Sequence, residues 1–233
     1  MPPSRRDRLR QSTLAEIREA ARKLLTTSGS AAVTINAVAR EVGMSGPALY
    51  HYFSGREELV QAVTADFFAE LAAEMKAARD ARGTLSARLL ATCRAMRYWA
   101  VSHPAEFGWI FITAVPSSVT RTPDSPRNVA GRDFELVLQE EIGTLWETNP
   151  FPVPDDLPPS IRDQLNAYRE LLGIDLPVEA LYVVTSCWIR LYGLLCMEVL
   201  NQLDYVYTDV EPIFEVCLKE MAETLGLKYE PPS

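Results

Sequence analysis

Apolar residues recur along this chain at the three-to-four-residue spacing of an α-helix. The first such segment has one apolar stripe, formed by Leu14, Ile17, Ala21, Leu24 and Leu25. A longer segment from Arg56 to about Arg82 has an apolar residue at every fourth position, at Leu59, Val63, Phe67, Leu71 and Met75. No segment alternates apolar and polar residues over a length that would suit a β-strand. The pattern therefore predicts an all-α protein.

Further helical segments follow Gly83, and proline-rich breaks separate them. We expect these helices at about 85–102, 104–114, 128–147, 159–172, 177–203 and 209–226. The longest breaks have the sequences VPSSVTRTPDSP and NPFPVPDDLPP, and the C-terminal tail KYEPPS is expected to fray.

The stretch INAVAREVGMSGPALYHYF, residues 35–53, has the boundaries of two short helices joined by a turn. Thr34 is expected to cap the first helix, and Gly43 to end it. Ser45 is expected to cap the second, with Pro47 in its first turn. Ala39 is small enough to let the two helices cross closely, and the apolar positions between them are Ile35, Val38, Val42, Met44, Leu49 and Tyr52. This pattern is typical of a helix-turn-helix motif, whose second helix lies in the major groove of DNA.

Small residues at the start of the second helix allow its end to approach base edges closely. These residues are Ser45, Gly46, Pro47 and Ala48. An apolar contact from Pro47 or Ala48 suits the methyl group of thymine. Tyr50 and His51 are expected to face phosphates on either side of the groove. A histidine in isolation more often has a structural role, which is the alternative for His51.

Charge is unevenly distributed along the chain. Residues 1–60 contain nine basic and six acidic side chains, a net charge of +3, whereas residues 61–233 have a net charge of −11. A basic N-terminal segment suits a protein that contacts phosphates at one end. We call the acidic remainder, residues 61–233, the acidic body. Residues 1–8 are expected to form a disordered basic arm, which either lies on phosphate, enters the minor groove or is only a solvated tail.

At these residues the sequence resembles the tetracycline-repressor (TetR) family of bacterial transcriptional regulators. The resemblance covers residues 9–60 and is carried by TINAVAREVGMSGPALYHYFSGREEL. It implies a DNA-binding domain over residues 1–60 and a helical effector-binding and dimerisation domain over residues 61–233. The DNA contacts that it implies are phosphate contacts at Thr34, Tyr50, His51 and Arg56, and base contacts at Ser45, Gly46, Pro47 and Ala48.

The chain departs from the family pattern at two points. Arg56 stands where the family more often has lysine. Gly46, Pro47 and Ala48 replace the commoner polar residues, which leaves few direct hydrogen bonds to bases. The operator sequence therefore does not follow from these residues.

The predicted helix at 177–203 is apolar almost all round. A membrane span is one alternative, but Arg190 at its centre would cost about 2.5–3.5 kcal/mol on insertion scales. A helix of this kind in a water-soluble protein is buried on two sides. We therefore expect a homodimer through helices 177–203 and 209–226, which agrees with the family resemblance. The two copies would bind a palindromic double-stranded DNA operator.

Aromatic and thioether side chains are numerous in the acidic body and would line an apolar effector pocket. The candidates are Met96, Trp99, Phe107, Phe111, Trp146, Trp188, Arg190 and Tyr192. Each of these alone also fits a plain core position, and Arg190 fits either a structural ion pair or a ligand contact. The segment Trp188–Gly193 is similar to the Trp…His-Gly element of one TetR C-terminal subfamily, with Tyr192 where histidine is usual.

The sequence thus predicts a cytoplasmic, ligand-responsive transcriptional regulator, most simply a repressor that a small, largely apolar effector releases from DNA. A DNA-binding protein without an effector is the main alternative. We expect no catalytic residues, cofactor or metal. The segment Gly43–Pro47 lacks the last glycine of a G-x-S-x-G elbow, and Cys187 and Cys196 are out of phase on one helix.

Overall fold

The computed structural model of the protein describes residues 4–112 and 124–232. Its α-helices are α1 Arg5–Ser28, α2 Ile35–Glu41, α3 Gly46–Leu49, α4 Arg56–Asp80, α5 Leu85–Ser102, α6 Pro104–Phe107, α7 Pro126–Thr148, α8 Pro159–Leu172, α9 Val178–Val199 and α10 Glu211–Thr224. A 3-10 turn, Ser30–Ala32, follows α1, and a π-helical turn, Gly108–Ile112, follows α6. No described residue lies in a β-strand, so the predicted all-α class is confirmed.

The helix bounds agree closely with the sequence pattern. Helices α5 and α8 have the predicted limits, 85–102 and 159–172. Helix α9 ends at Val199 rather than at 203, because Asn201 adopts the left-handed conformation with a φ of 56°. Residues 113 and 114 of the predicted 104–114 helix, most of the break that follows it, and residues 1–3 of the predicted arm lie outside the described residues.

The chain forms two compact units. Unit 1 comprises residues 1–71 and 103–134, and unit 2 comprises residues 72–102 and 135–233. Unit 1 therefore contains the predicted DNA-binding segment and, in addition, α6 and the beginning of α7.

The core of unit 1 holds the helix-turn-helix segment in place. Its fully buried side chains include one or two from each of the first four helices, namely Ile17, Ala21, Val38, Leu49 and Leu59. A phenylalanine cluster, formed by Phe68, Phe107, Phe111 and Phe134, has ring centroids 4.9–5.7 Å apart. Ile17, Ala21 and Leu59 lie on the apolar stripes that the sequence predicts, whereas Phe68 and Phe134 lie outside them.

An ion cluster around the buried carboxylate of Glu106 joins three helices of unit 1. Arg22 on α1 donates to Glu70 on α4 at 2.6 Å and to Glu106 on α6 at 2.7 Å. The hydrogen bond that Arg22 donates to Glu70 raises the pKa of Arg22 above its ordinary value, against the effect of burial. The Glu106 side chain is only 4% exposed, so its charge depends on this arginine for compensation.

The core of unit 2 is built around α5, α7 and α9. Its buried members are Leu89, Ile142, Leu145, Phe151, Leu176, Ala180, Val183 and Leu225. Arg97 on α5 pairs with Glu198 on α9 at 2.7 Å, and both side chains are at most 15% exposed. Glu198 therefore has an internal partner.

The C-terminal tail is attached to unit 2 rather than frayed, so that expectation is wrong for residues 228–230. The hydroxyl of Tyr229 donates to Glu215 at 2.7 Å, and Arg94 donates to the carbonyl of Glu230 at 2.7 Å. Although burial opposes it, the hydrogen bonds from Arg94 and Tyr229 lower the pKa of Glu215.

Candidate nucleic-acid interface

Two side-chain caps and one glycine shape the segment from α2 to α3. The hydroxyl of Thr34 accepts from Ala37 N at 3.2 Å, and the hydroxyl of Ser45 accepts from Ala48 N at 3.3 Å. Gly43 between the helices has a φ of 71°, a left-handed conformation that disfavours other residues. The predicted caps and turn are therefore confirmed. They fix the start of α3 by local chemistry.

Helix α3 approaches α2 very closely. A Cβ at Gly46 would lie 2.9 Å from Asn36 Oδ1, which is too short for a carbon–oxygen contact. The exposed Asn36 side chain would have to rotate to admit a larger residue at position 46, so packing favours glycine there without requiring it. The α-helical part of α3 is short, four residues, and turns continue the chain as far as Tyr52.

The structure places the predicted base-contact residues on one accessible tip. Ser45 and Pro47 are exposed, and Gly46 and Ala48 are partly exposed. Leu49 directly after them is fully buried and anchors the tip. Since the tip is capped at one end and anchored at the other, its small side chains face solvent in a fixed arrangement.

The predicted phosphate-contact residues are also accessible. Tyr50 is 55% exposed, and His51 and Thr34 are exposed. Arg56 at the start of α4 is exposed too, and its Nε donates to the carbonyl of Val33 at 3.0 Å. This bond positions the guanidinium next to Thr34 and leaves its outer N–H groups available to an anion.

The structure adds basic residues that the sequence pattern did not assign to an ordered element. Helix α1 begins at Arg5, so residues 5–8 of the predicted disordered arm are helical. A capping box starts the helix: Ser4 Oγ accepts from Asp7 N at 3.1 Å, and Asp7 Oδ2 accepts from Ser4 N at 3.2 Å. The spacing Ser4-x-x-Asp7 is the sequence signal that would have located this helix start.

The candidate effector residues fall into both units. Phe107 and Phe111 belong to the phenylalanine cluster of unit 1, and the other candidates belong to unit 2. Met96, Trp99 and Phe107 are at most 1% exposed, which is typical of core positions. Trp188 and Tyr192 are half-buried and stack with centroids 5.9 Å apart, and Trp146 packs against Phe151 at 5.1 Å.

Arg190, whose role the sequence left open, forms an ion pair with Glu220 on α10. The side chains of Arg190 and Glu220 are 45% and 54% exposed, so this is a surface pair.

Among the described residues, no group of three or more His, Cys, Asp or Glu side chains has a geometry that would hold a metal ion. The four cysteines are free thiols, and burial raises the pKa of Cys93 to about 12.

A capped helix-turn-helix segment with an accessible small-residue tip defines this chain as a DNA-binding protein of the helix-turn-helix class. Residues 17–63 match the family described as "Bacterial regulatory proteins, tetR family", and residues 89–221 match "Tetracyclin repressor-like, C-terminal domain". The chain therefore belongs to the TetR family and is a DNA-binding transcriptional regulator.

Relatives agree with this assignment. The HTH-type transcriptional regulator Rv1816 of Mycobacterium tuberculosis is 31% identical over 204 residues, which cover 85% of this chain and 85% of that protein. The HTH-type transcriptional regulator Mb1846 of Mycobacterium bovis matches to the same extent. The crystal structure of the regulatory protein SCO4313 is 30% identical, covers 94% of this chain and 100% of its own, and has a TM-score of 0.73.

Proposed function

We propose that this chain is a homodimeric repressor that places two copies of α3 in successive major grooves and leaves its operator when a small ligand binds. The accessible tip Ser45–Ala48, fixed by the Ser45 cap and the buried Leu49, is the observation that carries the proposal. In this proposal the four tip residues contact bases, and Thr34, Tyr50, His51 and Arg56 hold phosphates. The protein acts in the cytoplasm, where the chromosome is.

Footprinting on the DNA next to the protein's own gene tests the DNA-binding part. We expect protection of two related half-sites whose centres are about 34–36 Å apart, one turn of B-DNA. Binding should weaken steeply as salt concentration rises, because phosphate contacts release counterions. Protection without two-fold symmetry would contradict the homodimer geometry.

An exposed apolar face on α9 and α10 supports the homodimer. Its large members are Ile189, Met197, Leu200 and Val216, which are 38–67% exposed. By length and hydropathy, Val178–Val199 passes the test for a membrane span, as core and interface helices of water-soluble proteins also do. The face also contains the Arg190–Glu220 ion pair, which a lipid environment would penalise. A second copy of the chain can cover such a mixed surface.

Replacing Ile189 by aspartate tests this interface. Its side chain is 67% exposed in the single chain, so the change should leave the fold intact. We expect the dimer to dissociate, because the interface would bury an unpaired carboxylate, and native mass spectrometry would report the monomer. Leu171→Asp is the matched control, since Leu171 on α8 is 80% exposed and lies outside the proposed interface. Loss of dimer in both variants would contradict the assignment.

The effector proposal rests on partly buried aromatic side chains and on Arg127. Arg127 lies over the Phe68 ring at 5.9 Å, and it donates to Asn128 Oδ1 at 3.1 Å. Among the described residues no carboxylate pairs with it, and burial lowers its pKa. A guanidinium with unused donors beside a phenylalanine cluster suits a largely apolar, aromatic effector with one anionic group. RolR, a structure of the same fold at 17% identity, was solved with resorcinol.

A thermal-shift screen of small aromatic acids and their uncharged analogues tests the effector proposal. We expect stabilisation by an acid and not by its analogue, and loss of that stabilisation in Arg127→Met. The alternative, a regulator without a small-molecule effector, is favoured by the complete burial of Met96, Trp99 and Phe107. In that case no compound in either class would shift the melting temperature.

A further inference from the structure

The first two turns of α1 project into solvent as a basic surface. Every residue from 5 to 12 is exposed, and even Leu9 is 61% exposed. Residues 4–12 contain four arginines and one aspartate, a net charge of +3. Among the described residues no carboxylate forms an ion pair with Arg5, Arg6, Arg8 or Arg10. We name residues 4–12 the basic turn.

The basic turn is ordered by its own cap. Ser4 and Asp7 exchange hydrogen bonds in a capping box, and Ser4 Oγ also donates to Asp7 Oδ2 at 2.7 Å. Mutually repelling arginines would otherwise disfavour a helix with no buried face at this position. Because the helix is already formed, binding an anion here does not require the chain to be ordered first.

One face of the basic turn lies next to the helix-turn-helix segment. A surface groove there is lined by Arg5, Arg6, Leu9, Arg10, Thr13 and Tyr52. The Arg10 guanidinium lies over the Tyr52 ring, 5.4 Å from its centroid. Tyr52 directly follows Tyr50 and His51, the exposed residues proposed to hold phosphates. Arg8 points to another face and does not line the groove.

We propose that Arg6 and Arg10 bind backbone phosphates of the same duplex whose major groove receives α3. The inference rests on the proposed placement of α3. The contact with Tyr52 positions the Arg10 guanidinium, and the N–H groups of a guanidinium match two phosphate oxygens. The acidic body has no comparable unpaired arginine cluster among its described residues, so the duplex is the anion that this surface fits.

Salt-dependent binding to DNA tests the inference. The affinities of the wild type, Arg10→Ala, Arg6→Ala/Arg10→Ala and Arg8→Ala are measured by fluorescence anisotropy. The probes are a 30-base-pair duplex of mixed sequence and the footprinted DNA, over a sodium chloride series. Each lost phosphate contact should reduce the slope of log K against log salt by about 0.9, hence by about 1.8 in the double variant. Arg8→Ala should keep the wild-type slope, and Arg10→Lys should keep most of it.

The outcomes separate this inference from the proposed function. Two results would overturn the inference even if the wild type binds its operator. One is a wild-type slope in the double variant, and the other is a reduction of the slope in Arg8→Ala equal to that in Arg10→Ala. Affinity lost on the footprinted DNA alone would also overturn it, because phosphate contacts act on any sequence. Absence of wild-type binding to either probe would instead refute the proposed function. Circular dichroism verifies that each variant is folded, as the exposure of these side chains leads us to expect.

Discussion

The two compact units differ in how they use arginine. In unit 2, Arg79, Arg88, Arg94, Arg97, Arg162 and Arg190 each pair with a glutamate. In unit 1, the arginines of the basic turn and Arg40 form no ion pair among the described residues. Most arginines of unit 2 are therefore compensated internally, whereas the arginines of the basic turn and Arg40 are left open at the surface of unit 1.

This difference identifies which cations have a structural role and which remain available to a ligand. Compensated arginines hold helices together and add little to the field outside the protein. The chain has a net charge of −8, so its unpaired arginines cost little in stability or solubility. They still attract phosphate locally. The overall acidity of the chain is thus a poor guide to its partner, and the distribution of charge is a better one.

Unit 1 also contains compensated cations, and replacing Arg22, which pairs with the buried carboxylate of Glu106, should have the largest effect. Arg22→Met leaves Glu106, which is 4% exposed, without its cation. Breaking a buried pair in this way costs about 3–5 kcal/mol. We expect a loss of that size in the free energy of unfolding, measured by urea denaturation.

Arg18→Met on the same helix is the control for Arg22→Met. Arg18 pairs with Asp66, whose side chain is 50% exposed, so the remaining carboxylate stays hydrated. The expected cost is below about 1 kcal/mol. Equal losses in the two variants would show that burial of Glu106 does not control the energetics of this cluster.

Local signals made most of the helices predictable from the sequence. Gly83 and Pro104 bracket α5, and Pro159 and Gly173 bracket α8, so their limits follow from chain chemistry. The docking of the tail was not predictable in this way. It depends on Arg94, Glu215 and Tyr229, which are distant in sequence and meet only in the folded unit.

Ala48→Glu tests the open surface of unit 1 by adding a negative charge to it. Ala48 is partly exposed at the proposed base-contacting tip, so a carboxylate there would face bases and phosphates. We expect operator affinity to fall by about 100-fold or more, as like charges oppose each other at a site that excludes water. The melting temperature should change little.

Ala77→Glu controls for the added charge alone. Ala77 is exposed on the part of α4 that belongs to unit 2. Its affinity for the operator should stay within about twofold of the wild type, since screening weakens charge effects beyond about 10 Å. Normal operator binding by Ala48→Glu would refute the assignment of α3 as the recognition helix.

The candidate site shows the same division between local and distant chemistry. The caps at Thr34 and Ser45 are contacts within a few residues, and the sequence predicted both. The contact of Arg10 with Tyr52 joins α1 to the turn after α3, so no spacing rule pointed to it. The tight approach of Gly46 to Asn36 is likewise a tertiary contact.

The smallest effect is expected where a compensated arginine is exposed, at Arg190 in unit 2. Its pair with Glu220 lies at the surface, with both side chains more than 40% exposed. Surface pairs contribute about 0–1 kcal/mol, because water and salt screen the two charges. In the monomeric Ile189→Asp background, where no second copy covers this pair, Arg190→Met should therefore change the free energy of unfolding by less than about 1 kcal/mol. Arg97→Met should cost about 3 kcal/mol or more, because it leaves Glu198, which is 10% exposed, without its cation. A larger cost of Arg190→Met in the dimeric wild-type background would indicate that the proposed dimer interface buries the pair, whereas a cost as large as that of Arg97→Met in the monomer would contradict its surface position. Repeating both measurements at 1 M sodium chloride separates the cases, because salt should erase the cost of an exposed pair and leave that of a buried one.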